Sequence, residues 1–282
     1  MATVAYLGTG LLGSAIAEGM LRRGDAVTAW NRTPSKARAL EKAGATVAAT
    51  PGDAVAGAGR VHMTLSDDAA VDSVMEQFLP RLRSGAVVID HTTTSPRRTM
   101  ARYERLAGAG VKFLHVPVFM SPQMARESIG LSMCSGPQAV FDEVREPLQK
   151  MTGDAWYLGH DPAKAAAYKL FGNSMIFVIT AGVTDVLAMA RGLGMSLDDS
   201  LQVFSKFQPG GVIKARGEKM ARRDFTASFE MTMARKDLRL MIEAADGQPT
   251  VVLQAIARQM DRAIEQGHGR DDLAALAAEV VR

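Results

Sequence analysis

Three groups of residues in this chain have the types and spacing to do chemistry. The first is Gly8-Thr9-Gly10-Leu11-Leu12-Gly13, which follows an apolar run, Val4 to Leu7, and opens a helix-like segment. A GxGxxG turn between a strand and a helix holds a dinucleotide pyrophosphate. Gly8 permits the tight turn, Gly10 lets the backbone approach the phosphates, and Gly13 lets the helix pack close to the strand. The helix N-terminus then offers free N–H groups and a partial positive charge to the anion. The second group is Asn31-Arg32-Thr33, with Lys36 one turn on, at the end of another apolar run, Ala26 to Trp30. An NAD site has Asp or Glu here to accept from the ribose hydroxyls. A guanidinium and a hydroxyl instead attract a 2′-phosphate, so the expected cofactor is NADPH. Thr33-Pro34-Ser35 also has the make-up of a helix start, and the two roles are compatible. The third group is Lys169 and Asn173, four residues apart on one face of an apolar helical stretch. Buried there, they need polar partners or a functional cleft.

These groups must be held by strands and helices that the pattern also reveals. Beyond the two apolar runs, strands are expected at Thr46–Ala48, Arg60–Thr64, Val87–Asp90, Lys112–Val116 and Leu131–Ser135, alternating with helical segments. That is the pattern of a parallel sheet covered on both faces. After Asp161-Pro162 strands vanish and helical patterns rich in Ala, Met and Leu continue to the C-terminus, with helix ends near Gly192, Gly210-Gly211, Gly247 and Gly267. The fold class is therefore α/β: a doubly wound, Rossmann-type NADP-binding domain over 1–161, an interdomain helix over 162–190, and an all-α domain over 191–282.

Composition narrows the class further. In 282 residues, 47% are hydrophobic and 22% charged, as in a well-cored soluble protein. A net charge of +3 without a dense basic run gives no reason to expect nucleic acid as a partner. The single cysteine, Cys134, excludes an internal disulfide and suits a reducing compartment. The five histidines show no metal-ligand spacing. No basic segment precedes the short N-terminal apolar run, and Met175 to Val183 reads as a helix buried in protein, not one spanning a membrane. The expected location is the cytoplasm.

The GTGLLG and NRT segments, the AAYKLFGN helix, Arg235-Lys236-Asp237-Leu238 and the Gly267-to-Asp272 turn together resemble the β-hydroxyacid dehydrogenase family over nearly the whole chain. Its members include 3-hydroxyisobutyrate dehydrogenases and semialdehyde and glyoxylate reductases, and they are similar to 6-phosphogluconate dehydrogenase. The resemblance implies hydride transfer between NADPH and a short aldehyde or keto acid. Lys169 would hydrogen-bond the carbonyl oxygen, stabilise the developing alkoxide and donate the proton, with Asn173 holding the ammonium or a substrate hydroxyl. By the same resemblance Lys236 closes over the nicotinamide end of the cofactor, supported by Asp237, while Leu65 and Thr93 line the cofactor from loops at strand ends. The substrate is expected to meet Phe119, Met120, Ser121, Lys169, Asn173 and Asp237.

One loop departs from the pattern. Relatives follow the Pro-Val pair with Ser-Gly-Gly, which holds a substrate carboxylate; this chain has Phe119-Met120-Ser121-Pro122 after Pro117-Val118. Bulky side chains and a proline replace the small anion nest. Ser121 can restore one hydroxyl contact, and Arg126 can pair with an acid. The apolar bulk points to a larger or less anionic substrate and raises a second reading, an imine reductase. Such enzymes usually lack the lysine, because a cation beside an iminium repels it. A third reading is a non-catalytic NADPH-binding protein, against which Lys169, Asn173 and Lys236 together speak. The apolar helical half is expected to form a homodimer.

Overall fold

The structure is a computed structural model that describes residues 3–282. The chain divides into two compact units, residues 1–173 and 174–282.

The first unit alternates strands and helices: β1 (Thr3–Leu7), α1 (Leu11–Arg22), β2 (Ala26–Trp30), α2 (Pro34–Arg38), β3 (Thr46–Val47), α3 (Pro51–Val55), β4 (Arg60–Met63), α4 (Asp68–Phe78), β5 (Val87–Asp90), α5 (Pro96–Gly108) and β6 (Lys112–His115). Then come β7 (Val118–Phe119), α6 (Pro122–Glu127), β8 (Gly130–Ser135), α7 (Gln138–Thr152) and β9 (Gly153–Gly159). The strand order is β3-β2-β1-β4-β5-β6-β8-β7, with β9 beside β8. From β3 to β6 all pairs are parallel. The order reverses between β1 and β4, the place where open α/β sheets bind ligands at their carboxyl ends.

The sheet is not wholly parallel, as the sequence pattern suggested. β8 runs antiparallel to β6 and β7, and β9 joins parallel to β8. β7 and β9 escaped the sequence pattern because β7 is two residues long and β9 leaves most of its residues partly or fully exposed. Apolar side chains cover both faces. Tyr6, Ile16, Ile89, Leu114 and Phe141 belong to one core, and Leu7, Met63, Met75, Phe78 and Phe113 to the other.

The second unit continues α8 (Pro162–Gly192), which begins in the first, and adds α9 (Leu197–Leu201), α10 (Gly211–Arg222), α11 (Met231–Ala244) and α12 (Val251–Glu265). Gly210-Gly211 begins α10; it does not end a helix as the sequence pattern suggested. The core joins Met231, Ala234 and Leu238 of α11 to Ala257, Met260 and Ala263 of α12. Asp272 staples the last segment: its buried carboxylate accepts from the backbone N–H groups of Ser228, Phe229 and Ala274 at 2.8 to 3.1 Å, and from the Ser228 hydroxyl at 2.7 Å. Arg216 reaches the same carboxylate at 2.7 Å.

The expectation that Met175 to Val183 is buried is corrected. α8 is long and apolar enough to cross a membrane by length and composition, with a mean hydropathy of 1.6, yet only 6% of that window is buried within the chain. Phe177 is 70% exposed, and Ile176, Val178 and Ile179 are about half exposed. Apolar composition records a need for burial that this stretch of α8 does not meet among the described residues.

Candidate active site

The glycine turn has the geometry its sequence requires. Gly8 sits at φ +96°, and a Cβ there would lie 2.2 Å from the Thr64 carbonyl oxygen. A Cβ on Gly13 would meet the Gly8 carbonyl oxygen at 2.0 Å. Side chains at either position would push β1, α1 and the β4 loop apart. Gly10 has nothing within 4 Å of its missing Cβ, so its backbone faces open space. It also N-caps α1 without a side-chain bond, and no acid lies in the first helical turn. The first N–H groups of α1 are thus left for an anion.

That open space is a cavity of about 870 Å³ at the carboxyl ends of β1, β2 and β4. Gly8, Gly10, Leu11, Leu12 and Gly13 line one side, and Asn31, Arg32, Thr33, Lys36 and Leu65 line others. Thr9 lies outside this lining. It is buried, and its N–H donates to Asn31 Oδ1 at 3.0 Å, joining the glycine turn to the end of β2. Asn31 Nδ2 in turn donates to the Thr33 carbonyl. Thr33 starts α2, with Pro34 behind it, but its hydroxyl makes no capping bond.

The sequence pattern missed the opposite wall, formed by Thr64, Ser66, Asp67, Ser73 and Gln77. Asp67 caps α4, accepting from Ala70 N at 2.8 Å. That backbone bond, with the Ser66 hydroxyl, lowers its carboxyl from the usual range, and Arg32 contributes further. An aspartate directly before an amphipathic run was the available signal for this cap. Thr93 is exposed and outside the cavity lining; its neighbours Thr92 and Thr94 are both buried, and Thr92 Oγ1 accepts from Leu65 N at 3.0 Å. α4 and α5 are locked together by the buried guanidinium of Arg102, 2.9 Å from Asp68 and 2.8 Å from Asp72.

A second group assembles where α8 passes β7. Lys169 turns inward, and its Nζ donates to the Val118 carbonyl at 2.7 Å. The same ammonium lies 3.9 Å from the centroid of the Phe119 ring, a cation–π contact. Burial lowers the Lys169 pKa to about 8. Gly172 makes this possible, since a Cβ there would lie 2.2 Å from the ring. Asn173, one turn beyond Lys169, is half-buried.

Around the loop, Met120 packs against the first core. Ser121 caps α6, its hydroxyl accepting from Met124 N at 3.2 Å. Arg126 is committed to Glu18 of α1 at 2.7 Å. Lys236 and Asp237 lie in α11 of the second unit and pair with each other at 2.9 Å.

A doubly wound sheet with a glycine turn at its switch point defines a dinucleotide-binding protein, and the uncapped helix, open Gly10 and basic rim at Arg32 and Lys36 fit such a ligand. The family model described as the NAD binding domain of 6-phosphogluconate dehydrogenase matches residues 3–159. That described as NAD-binding of NADP-dependent 3-hydroxyisobutyrate dehydrogenase matches residues 163–280. The chain therefore belongs to the β-hydroxyacid dehydrogenase family of NADP-dependent oxidoreductases, with NADP(H) as cofactor.

It is 27% identical over 247 residues to glyoxylate/succinic semialdehyde reductase 1 of Arabidopsis thaliana, covering 86% of this chain and 85% of that one. It is also 27% identical over 250 residues to the cytokine-like nuclear factor N-PAC of Drosophila melanogaster, where the match covers 86% of this chain but only 41% of the relative. An imine reductase from Pseudomonas sp. shares the fold, with a TM-score of 0.91 at 22% identity over 99% of both chains.

Proposed function

We propose that this protein transfers a hydride between NADPH and the carbonyl of a short aldehyde or keto acid, reversibly. The observation that carries the reading is Lys169: a half-buried ammonium, held by the Val118 carbonyl and backed by the Phe119 ring. NADPH, when bound, supplies the hydride. Gly8, Gly10, Leu11, Leu12 and Gly13 hold its pyrophosphate, with Thr9 fixing the turn. Asn31, Arg32, Thr33 and Lys36 take the 2′-phosphate ribose, while Leu65, Thr93 and Lys236 contact the remainder.

Lys169 binds the substrate oxygen, offsets its developing charge and gives up a proton from Nζ. Asn173 orients that group, and Asp237 supports Lys236. Phe119, Met120 and Ser121 shape the substrate side. The Phe119 ring packs against Gly172, and the Ser121 oxygen accepts within the α6 cap while its O–H stays available to a carboxylate. The reading includes a homodimer, supported by the exposed apolar side of α8, and a cytoplasmic location.

The loop and the shared fold favour one second reading, an imine reductase. The two predict opposite pH responses. A carbonyl needs the Lys169 proton, so reduction falls as pH rises through about 8. An iminium is repelled by that same charge, so where the imine itself stays protonated its reduction rises as Lys169 loses its proton. NADPH consumption by the purified protein is measured across pH with semialdehydes and keto acids, then with cyclic imines. Carbonyl turnover that falls ~10²–10⁴-fold in Lys169→Ala, with NADPH affinity nearly intact, is expected. Equal loss of turnover and NADPH binding would remove Lys169 from the chemistry, and turnover of imines alone would favour the second reading. Tight NADPH binding with no turnover on either panel would instead leave a cofactor-binding protein.

A further inference from the structure

At Val116, two residues before the β7 carbonyl that holds Lys169, the chain meets a buried stack of titratable rings that the proposed chemistry does not use. Tyr6 of β1 lies parallel to His62 of β4, with centroids 6.1 Å apart and planes at 7°. His62 stacks in turn on His91, which follows β5, at 5.2 Å and 23°. None of the three is more than 3% exposed.

The hydrogen bonds fix how the protons sit. His91 Nδ1 is 2.7 Å from the Val116 carbonyl, which only accepts, so Nδ1 carries a hydrogen. A neutral His91 then has a lone pair on Nε2, and His62 Nδ1, 2.9 Å away, donates to it. Burial favours neutral rings by holding both histidines below their ordinary pKa. His62 Nε2 is left buried without a hydrogen-bond partner, so the donations run in one direction, from His62 to His91 to Val116.

The receiving segment is the one that grips Lys169. Val116 N donates to the Asp90 carbonyl at 2.7 Å, and the Pro117 carbonyl accepts from Met133 N at 3.0 Å. Pro117 has a fixed φ, which leaves few free torsions between the Val116 and Val118 carbonyls. The Val118 carbonyl is the acceptor for Lys169 Nζ, and the next side chain, Phe119, supplies the ring beside it. An all-apolar filling of the sheet would leave the Val116 carbonyl without this donor.

We propose that the buried His62–His91 pair is a positioning element for Lys169, acting through the Val116 carbonyl and the short Val116-to-Phe119 segment. The proposal rests on the reading of Lys169 as the proton donor, but its physical content is the place and environment of the Lys169 ammonium. That environment can be measured without turnover.

The test compares the full-length protein with His91→Leu, which loses the donor, and His91→Asn, whose amide Nδ2 takes the place of imidazole Nδ1. Modification of Lys169 by trinitrobenzenesulfonate is followed against pH, with the site assigned by peptide mass spectrometry. The parent chain should react with a midpoint near pH 8. In His91→Leu the loosened segment admits water to the ammonium, and the midpoint should rise by about one unit. Carbonyl turnover should fall ~10-fold with little change in KM for NADPH. His91→Asn should restore both. If His91→Leu does not fold, His62→Leu removes the orienting donor while leaving His91, and should give a smaller shift in the same direction.

A parent-like midpoint in His91→Leu, or equal damage in both His91 variants, would overturn the proposal and leave the pair as packing. If Lys169→Ala keeps full turnover, the proton-donor reading fails instead, and the modification midpoints still decide whether the histidines position the lysine.

Discussion

In residues 1–173 the sheet is covered on both faces, and its interior includes His62, His91, His115, Asp90 and Arg102 among the apolar side chains. In residues 174–282 the buried core is small, while Phe177, Val178, Phe207, Ile213, Leu240 and Val251 lie exposed. The first unit therefore has more burial than apolar packing alone explains, and the second has less than its composition calls for. Buried polar groups persist where each has a partner or a task, and exposed apolar faces persist where another surface covers them. The first unit thus buries its apolar faces within one chain, whereas the second leaves apolar surface open, the face on which the proposed homodimer rests.

The largest expected effect follows from the exposed side of α8. Replacing both Ile176 and Ile179, three residues apart on one face of α8, with Asp puts two charges on the surface proposed to join the homodimer. Each would have to be desolvated or excluded, and self-association should weaken more than ~10³-fold. Light scattering at micromolar concentration should change from about twice 30.1 kDa to the single-chain mass. A parent protein that is already monomeric, or a variant that stays dimeric, would remove the face from the assembly.

Within the second unit, Asp272 is the exception that behaves like a group of the first. Burial alone would raise its carboxyl, but four hydrogen bonds from Ser228, Phe229 and Ala274 hold it well below the usual carboxylate range, and Arg216 and Lys219 lie beside it. Asp272→Ala leaves those donors unpaired and should cost about 3 kcal/mol in urea-unfolding stability. A loss below about 1 kcal/mol would mean that water replaces the carboxylate easily, and the contrast between the units would be weaker than drawn.

What was legible in the sequence was local. The glycine turn and Lys169 with Asn173 are defined by spacing within one turn or one helix, and the structure keeps each set together. The opposite wall of the cavity was not legible, because Thr64, Asp67 and Ser73 come to it through the β1–β4 pairing, not through spacing. Thr93, singled out for the cofactor, is the exposed one of three consecutive threonines whose neighbours Thr92 and Thr94 are buried, and the run itself carries no sign of which turn inward. Phe119 could be seen to depart from a small-residue loop, but not that Gly172, far along the chain, leaves room for its ring. α8 was misjudged for a different reason: hydropathy cannot say whether the covering surface belongs to the same chain.

The smallest expected effect separates the units by acid. Burial lowers His91 to about 4 and moves His62 in the same direction. Unfolded, each histidine takes up a proton as pH falls through about 6.5. Buried, each resists, so the unfolded chain binds more protons and the stability of the first unit falls between neutral pH and about 4. At pH 5 the contribution of His91 is a loss of about 2 kcal/mol, or ~30-fold in opening. Asp272 works with the same sign in a lower window, since its lowered pKa adds stability that acid removes only below the ordinary carboxylate range, so it stays ionised at pH 5. Hydrogen exchange at pH 7 and pH 5, corrected for intrinsic rates, should therefore show amides of β4 and β5 losing protection while those of α11 and α12 hold theirs. Equal losses in both units would mean that acid acts through the whole chain. An insensitive first unit would mean that the native histidines accept protons where they lie, and the neutral, directional pair behind Lys169 would fall with that result.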